Sequence, residues 1–339
     1  MCRRIHGRND HNDVAASLKN LAQVYTAQGR LDEAPSLLEE SLALCRRIHR
    51  SKDHIYVAAS LHSLAQVYID LRRLDESASL HEESLAMRRR MHGGSDHSDV
   101  AASQFGLAKV YMAQGRLDDA ASLHEESLAM RQRIHGSKDH GDMVVSLWGL
   151  AQVYMAQGRF DGAALLEKES LAILQRLHDS KDHSSVATAL GRVAEVYRAQ
   201  GRLDESASLH IKSLAMYRRL HCSSDHIDVA ASLCSLAEVR RAQGRLDESV
   251  SLYVEVLVMY RRIHDSENHS DVAAVLYSLA EVYMAQDRVD KSASLHEKSL
   301  AMYRRLHGGN DHSDVTTSLY SLAAVYSAQG RLDESASLH

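Results

Sequence analysis

Twenty-two of the 339 residues are histidine, the side chain best suited to proton transfer near neutrality and among the commonest ligands of divalent metals. Their positions follow a register rather than converging on one point. His11, His54, His97, His140, His183, His226, His269 and His312 recur every 43 residues. His6, His49, His92, His135, His178, His221, His264 and His307 repeat at the same period. His81, His124, His210, His296 and His339 form a third set, and only His62 falls outside. Zinc needs three or four ligand atoms about 2 Å from one point. Copies of one site in packed helices lie roughly 10 Å apart. The histidines therefore read as caps and partly buried rings, with a histidine-rich metal binder as the subordinate alternative.

Other catalytic patterns fail similarly. The stretch HEESL at His81 and His124 opens like the HExxH zinc-peptidase motif. Its fifth residue is Leu85 or Leu128, so the second ligand is missing. No phosphate-binding loop, dinucleotide glycine fingerprint or nucleophile elbow occurs. The expectation is a chain that is not an enzyme, with no cofactor and no metal. The four cysteines, Cys2, Cys45, Cys222 and Cys234, form no CxxC pair and fit a reducing compartment, the cytoplasm. The sequon at Asn268-His269-Ser270 would matter only in a secreted protein. MCRRIHGRNDH lacks the apolar centre of a secretory signal, and no apolar run approaches the roughly 18 residues of a membrane span. A formal charge of −5 gives no bulk attraction to nucleic acid or to an acidic membrane. The Arg88-Arg89-Arg90 and Arg304-Arg305 runs lack interleaved aromatics and read as helix-end charges.

The elements that position these residues follow from the same period. Leu61, Leu64, Ala65 and Tyr68 fall at i, i+3, i+4 and i+7, one face of a helix. Leu80, Ser84, Leu85 and Met91 form a second stripe. Between such stripes lies AQGRLDE or a variant, whose glycines (Gly29, Gly115, Gly158, Gly201, Gly244, Gly330) suit a helix end with positive φ. Asp32, Asp75, Asp118, Asp161, Asp204, Asp247, Asp290 and Asp333 are placed to cap the second helix or favour its dipole. Each repeat is thus a helical hairpin, with helix A of about 16 residues and helix B of about 18. One site on helix A is alanine in all eight copies, from Ala22 to Ala323, and its counterpart on helix B is alanine or serine, from Ala34 to Ser335. Small residues there let the helices cross closely. A 43-residue period of such units gives an all-α fold, an α-solenoid of helix-turn-helix repeats over 1–339. The repeats run 11–53, 54–96, 97–139, 140–182, 183–225, 226–268 and 269–311, with 312–339 truncated and 1–10 ending a preceding helix B. Met1 falls in the slot of Met87 and Met130 inside that helix, so the chain reads as a fragment, prone to end-to-end self-association. Repeat six carries Arg240 where the other seven carry tyrosine, which marks it as the expected soft point.

The series Leu-x-x-Leu-Ala-x-x-Tyr, then Gly, then Asp-Glu-Ala/Ser is similar to the tetratricopeptide repeat. The long period and the DHxDVA entry to helix A resemble the kinesin light chain and nephrocystin variety. The resemblance implies a right-handed superhelix whose concave groove is lined by helices A, and a role in protein–protein interaction. An alternative it suggests is the recognition or oligomerisation arm of a larger nephrocystin-like or nucleotide-switch signalling protein.

Three columns of helix A change strongly between otherwise similar copies. The first reads Lys19, His62, Phe105, Trp148, Gly191, Cys234, Tyr277, Tyr320. The second reads Gln23, Gln66, Lys109, Gln152, Glu195, Glu238, Glu281, Ala324. The third reads Thr26, Ile69, Met112, Met155, Arg198, Arg241, Met284, Ser327. At roughly 100° per residue they share one narrow face, away from the leucine–alanine–tyrosine stripe. The resemblance makes that face the concave wall. The first column then reads as sites that folding leaves free. Phe105, Met112, Trp148 and Met155 are expected to line one apolar stretch of the groove, with Lys109 and Gln152 beside them. Arg192, Arg198, Arg241, Tyr277 and Tyr320 extend the candidate surface along later repeats. The partner expected is a protein or peptide segment with apolar anchors and acidic flanks; no nucleic acid and no membrane is expected to bind.

Overall fold

The computed structural model describes residues 11–50, 53–136, 140–179, 181–222, 225–266, 268–309 and 312–338. The segment 1–10, with Cys2 and His6, and residue His339 lie outside the described residues. Among the described residues there are sixteen helices and no strand. The helices A are α1 (Asn12–Ala27), α3 (Ile55–Asp70), α5 (Ser98–Ala113), α7 (Gly141–Ala156), α9 (Ser184–Ala199), α11 (Ile227–Ala242), α13 (Ser270–Ala285) and α15 (Ser313–Ala328). Each has 16 residues. The helices B are α2 (Ala34–Ile48), α4 (Leu74–Met91), α6 (Leu117–His135), α8 (Phe160–Leu177), α10 (Leu203–Leu220), α12 (Leu246–Ile263), α14 (Val289–His307) and α16 (Leu332–Ala336). The chain divides into two compact units, residues 1–177 and 178–339. Within each unit every helix packs on the next, so hairpins stack as the all-α solenoid requires.

Helix A begins the same way in every copy. The loop histidine is extended, and its Nδ1 accepts the backbone N–H two residues on, from His11 with Asp13 at 3.2 Å to His312 with Asp314 at 3.3 Å. Imidazole here does the work usually done by Ser, Thr, Asp or Asn. The helix ends on glycine with φ near +75°, as at Gly29 and Gly201. Arg72 and Asp287 hold that site at φ +59° in repeats two and seven.

The aspartates do not cap helix B. In six repeats the aspartate sits one residue inside the helix and the N-cap position is an arginine with no side-chain bond, as at Arg73, Arg116 and Arg202; in repeat one Asp32 precedes the helix, whose N-cap is Glu33. From there the carboxylates of Asp75, Asp118, Asp204, Asp247 and Asp290 favour the helix dipole and accept Nε2–H of Gln114, Gln157, Gln243, Gln286 and Gln329, one repeat on, at 2.7–2.8 Å. The residue thus ties neighbouring repeats as well as its own helix.

The close crossing is as the small residues dictate. The eight alanines of helix A are 0–1% exposed. Opposite them, Ser77, Ser249 and Ser335 donate to the carbonyls of Ala65, Ala237 and Ala323 at 2.7–2.9 Å. A second row, including Ser84, Ser127 and Ser299, donates to Ala58, Ala101 and Ala273 at 2.8–3.0 Å. A buried hydroxyl satisfied in this way avoids the penalty of an orphaned polar group.

In seven repeats the helix A tyrosine carries an arginine over its ring at 3.7–4.8 Å. In repeat six Arg240 fills the site instead. Its Nη1 donates to Gln243 Oε1 at 2.8 Å and its Nε lies 3.3 Å from Glu248, which Arg245 also engages. Ion pairing therefore offsets part of the lost aromatic packing. Arg240→Tyr is expected to restore the stack on Arg245 and stabilise the second unit by about 1 kcal/mol, seen as a higher Tm. An unchanged or lower Tm would mean that the Arg240–Glu248 pair compensates in full or more.

Candidate partner-binding surface

Seven times, the histidine ending helix B lies flat against the capping histidine that follows. Ring centroids are 3.3–3.6 Å apart and planes within 12° of parallel. In five cases an aspartate, as in His92–His97–Asp99 and His264–His269–Asp271, brings three donor atoms within 4.8 Å. Imidazole lone pairs lie in the ring plane. Two parallel planes this far apart cannot both contain one ion at about 2 Å, so metal binding would require the rings to unstack. The caps also already accept a backbone N–H. The arrangement fits helix entry and repeat junctions better than ion capture.

The arginine run is likewise committed to internal contacts. Arg88 is buried, and its Nη1 donates to the Asp99 carbonyl at 2.8 Å and to Ser103 Oγ at 2.9 Å. Arg89 pairs with Glu126 at 3.2 Å and Arg90 with Asp53 at 2.7 Å.

The varied columns have closer internal partners than the sequence suggests. Phe105 stands edge-on to His124 of helix B, with centroids 5.1 Å apart; His62 meets His81 at 5.0 Å and Tyr277 meets His296 at 5.1 Å in the same way. The first column therefore covers a buried ring in repeats two, three and seven, rather than standing free of the fold. Sequence periodicity missed this because the contact joins two helices. The signal available was the third histidine set, which supplies the ring. Phe105, Met112, Trp148, Met155, Arg192 and Tyr277 are half-buried. Lys109, Gln152, Arg198, Arg241 and Tyr320 are exposed, Tyr320 by 61%. Phe105, Lys109 and Met112 lie on α5, and Trp148, Gln152 and Met155 on α7 of the same unit. The ring of Phe105 reaches α7 beside Trp148, since a Cβ on Gly149 would stand 2.9 Å from Phe105 Cε2. The arginines and Tyr277 and Tyr320 belong to the second unit.

In that second unit the acidic column faces the buried rings. His210 Nε2 lies 3.2 Å from Glu195 Oε1, His296 Nε2 lies 3.2 Å from Glu281 Oε1, and the Tyr253 hydroxyl donates to Glu238. Glu195 and Glu238 also pair with Arg198 and Arg241 on their own helices at 2.8 Å. Burial works to raise the Glu195 carboxyl, but His210 and Arg198 hold it below its usual range. Contact with His296 does the same for Glu281 against its burial. The first unit lacks these carboxylates. Burial there pushes His81 down to about 3, with His62, Arg88 and Lys109 adding to the effect. Burial likewise pushes His62 and His124 down to about 4.

Hollows open between neighbouring helices A. One of about 390 Å³ is lined by Gln23, Thr26, His62 and Gln66 over Leu38. Another of about 310 Å³ is lined by Glu195, Arg198, Cys234 and Glu238 over Tyr253. Burial pushes the Cys234 thiol up to about 12, so it holds its proton and is a poor nucleophile. A third hollow lies at Gly191. The first two draw part of their walls from the columns that vary between repeats, and the third contains Gly191 and Glu195 of those columns. No helix among the described residues is long and apolar enough to cross a membrane.

The model of the tetratricopeptide repeat family matches residues 7–90, 95–176, 185–262 and 271–339. No curated protein sequence matches the chain. Among solved structures, a kinesin light chain-like protein of Podosopora anserina with nearly identical TPR-like repeats is 28% identical at a TM-score of 0.54, covering 61% of this chain and 96% of its own. BtubC (BKLC) from P. vanneervenii is 24% identical at a TM-score of 0.56, covering 66% and 87%. The quorum sensor NprR from B. thuringiensis is 14% identical at a TM-score of 0.62, covering 94% and 85%, a likeness of fold. Eight in-register copies of one alanine-crossed hairpin and a family model matched along most of their length lead to one statement: the chain belongs to the tetratricopeptide repeat family, in its kinesin light chain-like variety.

Proposed function

We propose that the chain is a non-enzymatic, cytoplasmic interaction scaffold that holds an extended or helical partner segment along its helices A. One observation carries this reading: the hollows between those helices are walled in part by the columns in which otherwise similar repeats differ. Phe105, Met112, Trp148 and Met155 supply apolar anchor sites on α5 and α7. Methionine adapts to different shapes and aromatic rings supply contact area. Lys109, on α5 with Phe105 and Met112, favours acidic flanks on the partner. The kinesin light chain-like protein among the solved relatives is consistent with such a role.

Proximity labelling with the intact chain identifies the partner, and Trp148 then reports on binding as the only tryptophan. Its emission is expected to shift to the blue when partner covers the half-buried indole. Trp148→Ala is expected to weaken binding by about 2 kcal/mol while helicity is retained. If the substitution instead unfolds the first unit and leaves affinity per folded molecule unchanged, Trp148 is a packing residue and the surface lies elsewhere.

A further inference from the structure

Gly191 interrupts the first varied column, and a Cβ built on it meets nothing within 4 Å. Beside it lies a hollow of about 200 Å³, lined by His210, Glu195, Thr188, Tyr217 and Ser235. Two repeats further on, the same arrangement is complete. Tyr277 holds the position of Gly191, its ring edge-on to His296 at 5.1 Å. His296 in turn lies 3.2 Å from Glu281, just as His210 lies 3.2 Å from Glu195. The Tyr277 hydroxyl bonds Ser321 Oγ at 2.7 Å, and Ser321 corresponds to Ser235. Repeat five therefore keeps the buried imidazole and its carboxylate, and the repeat after it supplies the serine, as Ser321 does beyond repeat seven; the phenol is missing, and Thr188 and Arg192 line the hollow where repeat seven has Ala274 and Ser278.

We propose that the hollow at Gly191 receives a tyrosine side chain of the partner segment, its ring edge-on to His210 and its hydroxyl on Ser235. This rests on the reading that helices A hold a partner, and adds the identity of one anchor. The phenol ring completes an aromatic contact that the protein makes with its own side chains in repeats two, three and seven. The hydroxyl gives selectivity over phenylalanine, because a serine placed to bond it is left without that bond when the ring carries none.

The test uses N-acetyl-L-tyrosinamide as the probe on the full chain, with the phenylalanine and leucine amides for comparison. The readout is the imidazole Cε1–H resonance of His210, assigned by its loss in His210→Gln. Saturable ring-current shifts are expected with the tyrosine amide, several-fold weaker affinity with the phenylalanine amide, and no shift with the leucine amide. Gly191→Tyr, which fills the hollow from within, is expected to abolish the response and raise the Tm. Ser235→Ala is expected to bring the tyrosine amide down to the phenylalanine level. No saturable shift at His210, or a response that survives Gly191→Tyr, overturns the proposal. If Gly191→Tyr fails to fold, equal tyrosine and phenylalanine affinities in the unmodified chain overturn it instead. A partner that binds through Trp148 with the His210 signal unmoved leaves the scaffold reading intact and removes this anchor. A saturable hollow in a chain that captures no partner does the reverse.

Discussion

On acidification the first unit is expected to lose stability well before the second. His81 and His124 are buried and His62 is half-buried, with Gln66 and Lys109 where the second unit has glutamates, and burial holds their values at about 3, about 4 and about 4 in that order. In the unfolded chain the same imidazoles titrate near 6.5. Between those limits the unfolded state binds protons that the native state refuses, so stability falls as pH falls. The contribution is fully present above about 6.5 and is lost progressively down to about 4. Three groups acting together give a slope of up to about 4 kcal/mol per pH unit, enough to exhaust a typical domain within the window. In the second unit Glu195 and Glu281, facing His210 and His296, are held below the usual carboxylate range. The sign is the same, but the window starts near their unfolded value, about 4.3, and runs lower. The stacked junction histidines occur in both units and do not distinguish them. Hydrogen exchange followed from about pH 7 to about pH 4.5 should show α4 and α6 losing protection while α10 and α14 retain it. His81→Leu, which copies Leu38 from repeat one, should reduce the slope. Simultaneous loss in both units, or no slope above about pH 5, would falsify the assignment of neutral buried rings.

The features legible in the sequence are those that every copy must satisfy alone. A helix crossing needs a small residue whichever neighbour it has, so the column from Ala22 to Ala323 is constant and its burial could be anticipated. The capping role of the loop histidines was legible for the same reason. Contacts that pass from one helix or repeat to another were harder to read. Asp75 looked like a cap because its neighbours along the chain are a turn and a helix start. Its second partner, Gln114, lies 39 residues away. The varied columns read as free of folding constraint because their partners lie on helix B, outside the period of helix A. Set beside helix B they are coupled to it. Where the second column supplies Glu195, Glu238 or Glu281, the buried ring meets the carboxylate and the next repeat carries Ser235, Ser278 or Ser321. Where it supplies Gln66 or Lys109, the ring has no carboxylate, and the next repeat offers Gly106 or Gly149. The variation thus mixes two demands, internal packing around a buried ring and the lining of the hollows. Only the second bears on partner choice.

That coupling sets the largest effect expected from a single methyl group. Alanine is the better helix former by about 1 kcal/mol, so Gly149→Ala on α7 should stabilise if propensity alone decided. The structure argues the opposite. A Cβ at Gly149 would stand 2.4 Å from His124 Cε1, 2.8 Å from His124 Nδ1 and 2.9 Å from Phe105 Cε2. His124 is 1% exposed and held edge-on by Phe105, so the ring has little room to swing aside. Overpacking of this kind costs about 1–3 kcal/mol, and set against the propensity gain the net expectation is destabilisation of the first unit by about 1 kcal/mol. Gly191→Ala is the control. It lies on α9, its Cβ would meet nothing, and it should stabilise the second unit by about 1 kcal/mol. Urea unfolding of both variants separates helix propensity from packing, because the two substitutions are chemically identical. Adding His124→Leu to Gly149→Ala removes the obstructing ring and should recover part of the loss, giving a non-additive pair. Should Gly149→Ala prove as stable as the parent chain, the ring of His124 does not rest on α7, and the coupling between the varied column and helix B fails with it.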